Sequence, residues 1–527
     1  MRKIFYLICV AVFITICAAG CGNNDNDGAF DPAKVKRYDY VLDESSSHVQ
    51  NIPYDKYLSA VSAPSDAVNA SEYGLAADGD YIGNTVALQA AIDKVSADGG
   101  GTVLVSGGEY AITSVQLKSG VTLHIERGSG LKSVDYLTNL NSDRKLTYGV
   151  IWAQNAHDIS ITGGGYIDGN GPSFTNPSSS DEPFLPMETF NLKQYVLGMR
   201  SRIRFAKSNS GRVNLVYINN CSDVDLKNIE FKETASWTVN LVDSDDIEIE
   251  KTVINNNIYV ANSDGYDVVG CQDVSIKDSF IATGDDGIVI KANSAEPVEN
   301  VDIENCHSMS IANCFKIGTE TAQDVSDVTV KDCYFFRTGV TGGYAGIAIE
   351  SADGSAVSNV NVSNIVMDKL ASPLLIWLGD RLGFGDKDTP GSVSGIRVSD
   401  IVAFDADMAS AVTGCYRSQN KTVYNVTDVE LKNFHVYYRE AKEDLYLSTD
   451  DENLDRIVKE HNSGGYPEIS RVIHMYLVTH EGSYYLDMPC YGLYTRYAPD
   501  LKIENFNVTP RSCNTRPATV LNDGLYE

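Results

Sequence analysis

Val274-Ser275-Ile276-Lys277-Asp278 is followed by Val301-Asp302-Ile303-Glu304-Asn305 and then by Val328-Thr329-Val330-Lys331-Asp332. Each copy reads apolar, polar, apolar, polar, then Asn or Asp. Alternation with a period of two is the pattern of a strand with one buried face. The pattern extends outward in both directions. Upstream stand Val224-Asp225-Leu226-Lys227-Asn228 and Ile247-Glu248-Ile249-Glu250-Lys251, with a weaker copy at Ile159-Ser160-Ile161-Thr162. Downstream stand Val360-Asn361-Val362-Ser363-Asn364, Ile396-Arg397-Val398-Ser399-Asp400, Val429-Glu430-Leu431-Lys432-Asn433 and Leu501-Lys502-Ile503-Glu504-Asn505. From position 224 to 429 the copies are spaced 23, 27, 27, 27, 32, 36 and 33 residues apart.

Short strands at that period, punctuated by Gly, Asn and Asp, fit one coil of a parallel β-helix. A propeller blade needs about 40–50 residues, and a leucine-rich repeat needs helical halves that this sequence lacks. The expected fold is therefore all-β, a right-handed parallel β-helix built as a solenoid. Its ends must differ from its middle. Asn84–Val95 reads as an amphipathic helix with Val86, Leu88, Ala91, Ile92 and Val95 on one side, stopped by Asp98-Gly99-Gly100-Gly101. Such a helix would cap the first coil and hide its strand edge.

A second strand follows each copy, beginning at Trp237-Thr238-Val239, Tyr266-Asp267-Val268, Ile288-Val289-Ile290, Phe315-Lys316-Ile317 and Ile347-Ala348-Ile349. Two residues before these starts stand Ala235, Asp264, Asp286, Asn313 and Ala345. Adjacent coils lie about 4.8 Å apart, so Asp264, Asp285 and Asp286 fall in one patch. Crowded carboxylates raise one another's pKa. Glycoside hydrolysis uses that effect, keeping one carboxyl protonated for the leaving oxygen and another ionised to activate water. The plainer reading is that Asp264-Gly265 and Asp286-Gly287 are ordinary turns.

The chain start has its own signature. Arg2 and Lys3 precede an apolar run from Ile4 to Ala19, then Ala18-Ala19-Gly20-Cys21. This reads as a secretory signal, and small residues ending on Cys resemble a bacterial lipobox with Cys21 as the lipidated residue. A plain signal peptide is the alternative. The implied organisation is a signal over 1–20, a tether and N-terminal segment over 21–70, and the catalytic β-helix over 71–527. The expected location is the outer membrane, on its periplasmic side or at the cell surface. Loss of Arg2 and Lys3 would take the formal charge from −29 to −31. That acidity disfavours nucleic acid and anionic surfaces as partners. The expected partners are a poly- or oligosaccharide and, through Cys21, the membrane; the chain is expected to be a monomer. Of 11 cysteines, Cys221, Cys306 and Cys333 occupy what reads as one place in the repeat, which suggests buried thiols. No CxxC pair or His/Cys cluster points to a metal, and no cofactor is expected.

Taken together, the motifs resemble glycoside hydrolase family 28, the polygalacturonase family, from about Tyr73 to about Val508. Tyr73-Gly74-Leu75-Ala76-Ala77-Asp78-Gly79 and Asn84-Thr85 match its entry, Asn262-Ser263-Asp264 its Asn-Thr-Asp motif, and Gly284-Asp285-Asp286 its Gly-Asp-Asp motif. The resemblance implies an inverting hydrolase with Asp285 as general acid, Asp264 and Asp286 holding and deprotonating the water, and Asp267 in support. Lys291 closes the strand as in related enzymes. Two motifs differ. Asn313 stands where the family has the His of Gly-His-Gly, and it cannot titrate. Ala348-Ile349-Glu350 stands where the family has Arg-Ile-Lys, which grips a uronate; Glu350 would repel one. Homogalacturonan is thus disfavoured, and a neutral sugar beside the cleaved bond is preferred. His307 reads as a surface or core residue. Trp237 is a candidate to stack on a sugar, with a packed aromatic as the plainer alternative. Trp377 and Arg381 lie further along the same side, where Arg381 either binds a remote uronate or pairs with Asp380. The competing functions are a non-catalytic glycan-binding lipoprotein and a polysaccharide lyase, the latter requiring Ca²⁺ and an Arg base.

Overall fold

The computed structural model describes residues 31–43, 45–134, 149–176, 212–338, 345–385, 387–406, 409–417, 420–438, 446–447, 478–480, 483–485, 490–510 and 517–522. The signal at 1–20, Cys21 and the acidic stretch after it lie outside these residues, as does Cys513. Asp39–Glu527 forms one compact unit. Within it the described residues are mostly β, and the strands that build the body run parallel in two long sheets.

The repeat copies are neighbours in the larger sheet, and the ladder matches the sequence spacing step by step. Val224 pairs with Ile247, Val274, Val301, Val328, Val360, Ile396 and Val429 in succession. The changing intervals are absorbed between strands, so register holds while coil length varies. The apolar residues of each copy fill one continuous core.

The fifth residue of the motif has a backbone cause. Asn228, Lys251, Asp278, Asn305, Asp332, Asn364, Asp400, Asn433 and Asn505 all sit at positive φ, between 50° and 58°. Asn and Asp tolerate this left-handed region better than other residues with a side chain. Their side chains also stack from coil to coil: Asn305 donates to Asp278, Asn364 to Asp332, and Asn433 to Asp400 at 2.8 Å. The motif is a strand, a bend that favours Asn or Asp and takes Lys once, at Lys251, and a ladder.

Between these copies lie the strands of a 12-stranded parallel sheet, among them Gly149–Gln154, Asn214–Asn219, Val239–Val242, Tyr266–Val269, Ile288–Ala292, Phe315–Thr321, Ala345–Ser351 and Ser372–Leu378. Its alternate residues, such as Tyr266, Ile288, Ile290, Phe315 and Ile347, point into the core. The intervening ones point outward.

The helix spans Tyr81–Ala97, with Asp80 accepting from the amides of Ile82 and Gly83, both at 2.9 Å. It buries Ala87, Leu88, Ala91, Ile92 and Val95 in the core of the first strands. Val86, assigned to that side from the sequence, is 64% exposed. With 100° per residue, adding Val86 stretches the stripe past the contact, and Ala87 takes the place instead. Residues 40–61 lie across several coils, held partly by side-chain amides. Asn228 donates to Ser59 O and accepts from Ser59 N, and Asn255 does the same for Val49.

The cysteine reading is corrected in one respect. Cys221, Cys271, Cys306, Cys314, Cys333 and Cys490 are free and buried, and Cys415 is free and half-buried. However, Cys221 precedes its strand, stacked through Ser244 towards Cys271, whereas Cys306 and Cys333 follow the left-handed bend. Two stacks exist where one was expected.

Candidate active site

The loops that carry Asp264 and Asp286 are pressed against each other. Gly265 donates to Asp286 O, and Gly287 donates to Asn313 O. A Cβ on Gly265 would stand 2.3 Å from Gly287 O, and one on Gly287 would stand 2.2 Å from Ser308 Oγ. Neither glycine has positive φ. They are there for close stacking of coils, not to make Asp-Gly turns. Ser263 ties the two loops: its Oγ donates to Val260 O at 2.8 Å and accepts from Gly284 N at 3.0 Å.

Register corrects one residue of the column. Val239 pairs with Tyr266 and Tyr266 with Ile288, so Trp237, not Ala235, is level with Asp264. The strand itself begins at Val239.

Asp264, Asp285 and Asp286 have oxygens within 4.8 Å of one another. Asp264 and Asp286 are buried; Asp285 is half-buried. Two lysines hold them from the outer face of the sheet. Lys291 Nζ lies 2.6 Å from Asp267 Oδ1 and 3.3 Å from Asp264 Oδ2, and it sits 3.8 Å from the centroid of the Trp237 ring. Lys316 Nζ lies 3.0 Å from Asp286 Oδ2. Asn313 donates to Asp286 Oδ1 from its backbone N at 3.2 Å and from Nδ2 at 2.8 Å. Asp285 accepts from the amide of Asn262 at 3.3 Å and of Asp286 at 3.0 Å.

These surroundings separate the acids. Burial, followed by the charges of Asp264 and Asp286, raises the Asp285 carboxyl well above the usual range. Burial raises Asp264 as well, against the pull of Lys291. Burial likewise raises Asp267, which keeps its contact with Lys291. Burial alone would lower Lys291, but Asp267, Asp264 and Glu320 outweigh it and hold the ammonium charged. An acid raised in this way, beside two acids that face fixed cations, fits a general acid next to candidate bases. By distance the trio could also hold a metal ion.

The remaining predicted residues are distributed as follows. Asp267 and Asn313 join the cluster, and Lys291 braces it. Glu350 is fully buried, accepting from Thr319 Oγ1 at 3.0 Å. Trp377 pairs in register with Glu350 and packs against a buried apolar cluster. Arg381 does not pair with Asp380. Its guanidinium binds Asp353, at 3.0 Å through Nε, and Glu320 at 3.2 Å, while Asp380 pairs with Arg417 at 3.3 Å. Residues 380 and 381 point to different partners because the chain has left the strand there. His307 is buried in the other sheet, 2.7 Å from Tyr40 Oη among aromatic rings.

Sequence reasoning missed Lys316, Glu320, Asp353 and Arg212. Lys316 had a signal: it stands between two core residues in a strand already recognised, so it had to face outward with Asp267. Arg212 donates at 2.8 Å to Asn262 Oδ1 and also to Ala261 O, beside the loop that carries Asp264. No pattern announced it.

A family model, Glycosyl hydrolases family 28, matches residues 103–444. The chain belongs to this family. It is a glycosidase, hydrolysing O-glycosyl bonds. An endo-polygalacturonase of Pectobacterium carotovorum subsp. carotovorum is 28% identical over 294 residues, which is 54% of this chain and 67% of that protein. Among solved structures, an exopolygalacturonase from Thermotoga maritima superposes with a TM-score of 0.57 at 19% identity, covering 75% of this chain and 92% of its own. A family 28 exopolygalacturonase from Yersinia enterocolitica gives 0.59 at 16% identity, covering 88% of this chain and 78% of its own. At those identities the two structures establish the shared fold.

Proposed function

We propose that this glycosidase cleaves a pectin-type or related polysaccharide or oligosaccharide with inversion of configuration, and that homogalacturonan is not its substrate. The fold in this reading is a right-handed parallel β-helix, its first coil covered by the helix Tyr81–Ala97. Asp285 protonates the leaving oxygen, while Asp264 and Asp286 hold the attacking water and take its proton. The observation that carries this is the trio itself: oxygens within 4.8 Å of one another, with Asp285 pushed up by burial and by its two neighbours.

Inversion rests on the family resemblance. A pair of carboxyls flanking a sugar inverts when they stand about 6.5–9.5 Å apart, and the oxygens here are closer. In a trio the water is held between two acids rather than opposite one, so the pair rule does not transfer directly. NMR of the first anomer released decides the point; a retained anomer would remove this assignment.

The substrate preference has two supports. The polygalacturonase names attach to relatives, which favours a pectic glycan. Against a uronate at the cleaved bond, Ala348 and Glu350 remove the cations of the family motif, and Arg381 is held by Asp353 and Glu320.

Release of reducing ends from a panel of pectic oligosaccharides tests the whole reading. The wild type should cut at least one, and Asp285→Asn should lower kcat by about 10³-fold or more while keeping the fold. Unchanged turnover in that variant would remove Asp285 as the acid.

We further propose export and lipidation at Cys21, with the catalytic domain, taken as 71–527, held at the outer membrane as a monomer. The support is the sequence Ala18-Ala19-Gly20-Cys21 after an apolar run. Cys21→Ala should move the protein from the membrane to the soluble fraction; a membrane fraction unaltered by the change would dismiss the anchor.

A further inference from the structure

The three acids of the trio are not held alike. Asp286 meets the Lys316 ammonium and two donors from Asn313, and Asp264 shares Lys291 with Asp267. The carboxyl of Asp285 meets only two amides among the described residues. A cation in contact would favour its ionised form, which is wrong for a group that must arrive protonated. The main chain of Asp285 is well fixed, its carbonyl oxygen accepting from Thr283 Oγ1 at 2.7 Å and from Ser310 Oγ at 2.6 Å. The carboxyl has less. Its own neighbour Asp286 donates to Oδ1, and Asn262, from the coil before, donates to Oδ2. Among the described residues, Asn262 is the one contact that steers this carboxyl from another coil.

Asn262 is itself exposed and sits at a φ of 55°. Arg212 grips it. The guanidinium donates to Asn262 Oδ1 at 2.8 Å and to Ala261 O. Arg212 precedes the strand Asn214–Asn219, which lies two coils before the strand Tyr266–Val269. At about 4.8 Å per coil, the side chain reaches across a whole coil to make these bonds. A rigid planar fork suits such a grip on two oxygens at once. Both oxygens are neutral, so the contact fixes the loop and neutralises no acid. Burial lowers the Arg212 guanidinium, while the charges of Asp264 and Asp285 pull it the other way. It therefore stands close to both acids.

We propose that Arg212 is a positioning residue for the general acid: by gripping Ala261 and Asn262 it holds the Asn262 amide against Asp285 Oδ2 and so aims the carboxyl at the leaving oxygen. This rests on the reading of Asp285 as the acid. Misplacing a reacting group by about 1 Å costs about 10²-fold in rate, so a residue that touches only the loop still acts on turnover.

The test uses the full chain and whichever pectic oligosaccharide the wild type cuts fastest. Arg212→Met should lower kcat about tenfold to a hundredfold with little change in KM. Arg212→Lys, which keeps the charge and a donor, should recover part of that loss. In an Asp285→Asn background, Arg212→Met should cost nothing further, because the group it positions is gone. Losses that multiply would make Arg212 a general support of the fold and overturn the inference. A higher KM with kcat unmoved would make it a substrate contact and overturn the inference equally. Should Arg212→Met unfold too early to assay, Asn262→Gly carries the test. Glycine keeps the left-handed backbone and the amide but removes one of the two oxygens that Arg212 grips. A smaller fall in kcat is expected there, and an unmoved kcat would overturn the inference. Wild-type turnover in Asp285→Asn would remove the acid and this inference together. A slow Asp285→Asn beside an unimpaired Arg212→Met would remove this inference alone.

Discussion

One face of one sheet carries two kinds of surface. From Asp264 to Lys316 it holds four aspartates and two lysines, nearly all buried; from Ala345 to Tyr494 it holds a buried apolar cluster, with Glu350 as its one buried acid among the described residues. The backbone is the same in both, a stack of parallel strands in register. The apolar stretch does what sheets ordinarily do and lowers the free energy by burial. The charged stretch raises it, because taking ions out of water costs several kcal/mol each before pairing. On the proposed reading, the charged stretch is a patch in which stability is given up to set protonation states.

The largest effect should come from breaking the charged stretch at its brace. Lys291→Met leaves Asp264 and Asp267 buried without their cation. Removing one partner of a buried pair costs about 3–5 kcal/mol, which a chemical denaturation curve would register. The chain can relieve the cost by protonating an acid. Lys291 holds Asp264 down, so its loss raises that carboxyl further. If Asp264 is a base, the acid limb of the kcat/KM profile should move to higher pH. A limb that stays in place would separate Asp264 from the chemistry.

The same contrast explains what could be read from the sequence. The apolar ladder was legible because it repeats: Val224 through Val429 are spaced as coils and paired as coils. Asp264 and Asp286 were legible because the same count places them one coil apart. Trp237 was misplaced by one alternation, since Ala235-Ser236-Trp237 is loop and a loop has no period. Lys316 was hidden in plain alternation, an outward residue whose partner only the stacking reveals. Arg381 was given the wrong acid because contacts outside strands follow three-dimensional proximity. Val86 was put on the buried side because the chain supplies more apolar residues than the helix has contact. Periodic features can be counted from one dimension; partners between unlike coils cannot.

A smaller effect should come from the apolar stretch. Leu375→Ala opens a cavity between Ala348 and Ala411, with which Leu375 is paired. Such a truncation costs about 2–5 kcal/mol, towards the lower end here because the cluster is small and lies outside the main core. Stability should fall with the pH profile of activity unmoved. A shifted profile would mean that the two stretches are coupled through Lys316.

The smallest effect has the opposite sign. Asp285 is raised in the folded protein, so between the ordinary carboxyl value and its raised one the folded state binds more protons than the unfolded state. Stability from this group is therefore present at low pH and is lost as pH rises through that window. Asp285→Asn removes both the repulsion and the titration. At neutral pH the variant should be more stable than the wild type by about 1 kcal/mol, and less so near pH 4, where the wild-type carboxyl is already protonated. Thermal melts of the two proteins across that range would show the gap widening with pH. A gap that is constant, or that closes as pH rises, would mean Asp285 ionises freely in the folded protein, and a freely ionised carboxylate cannot serve as the acid at neutral pH.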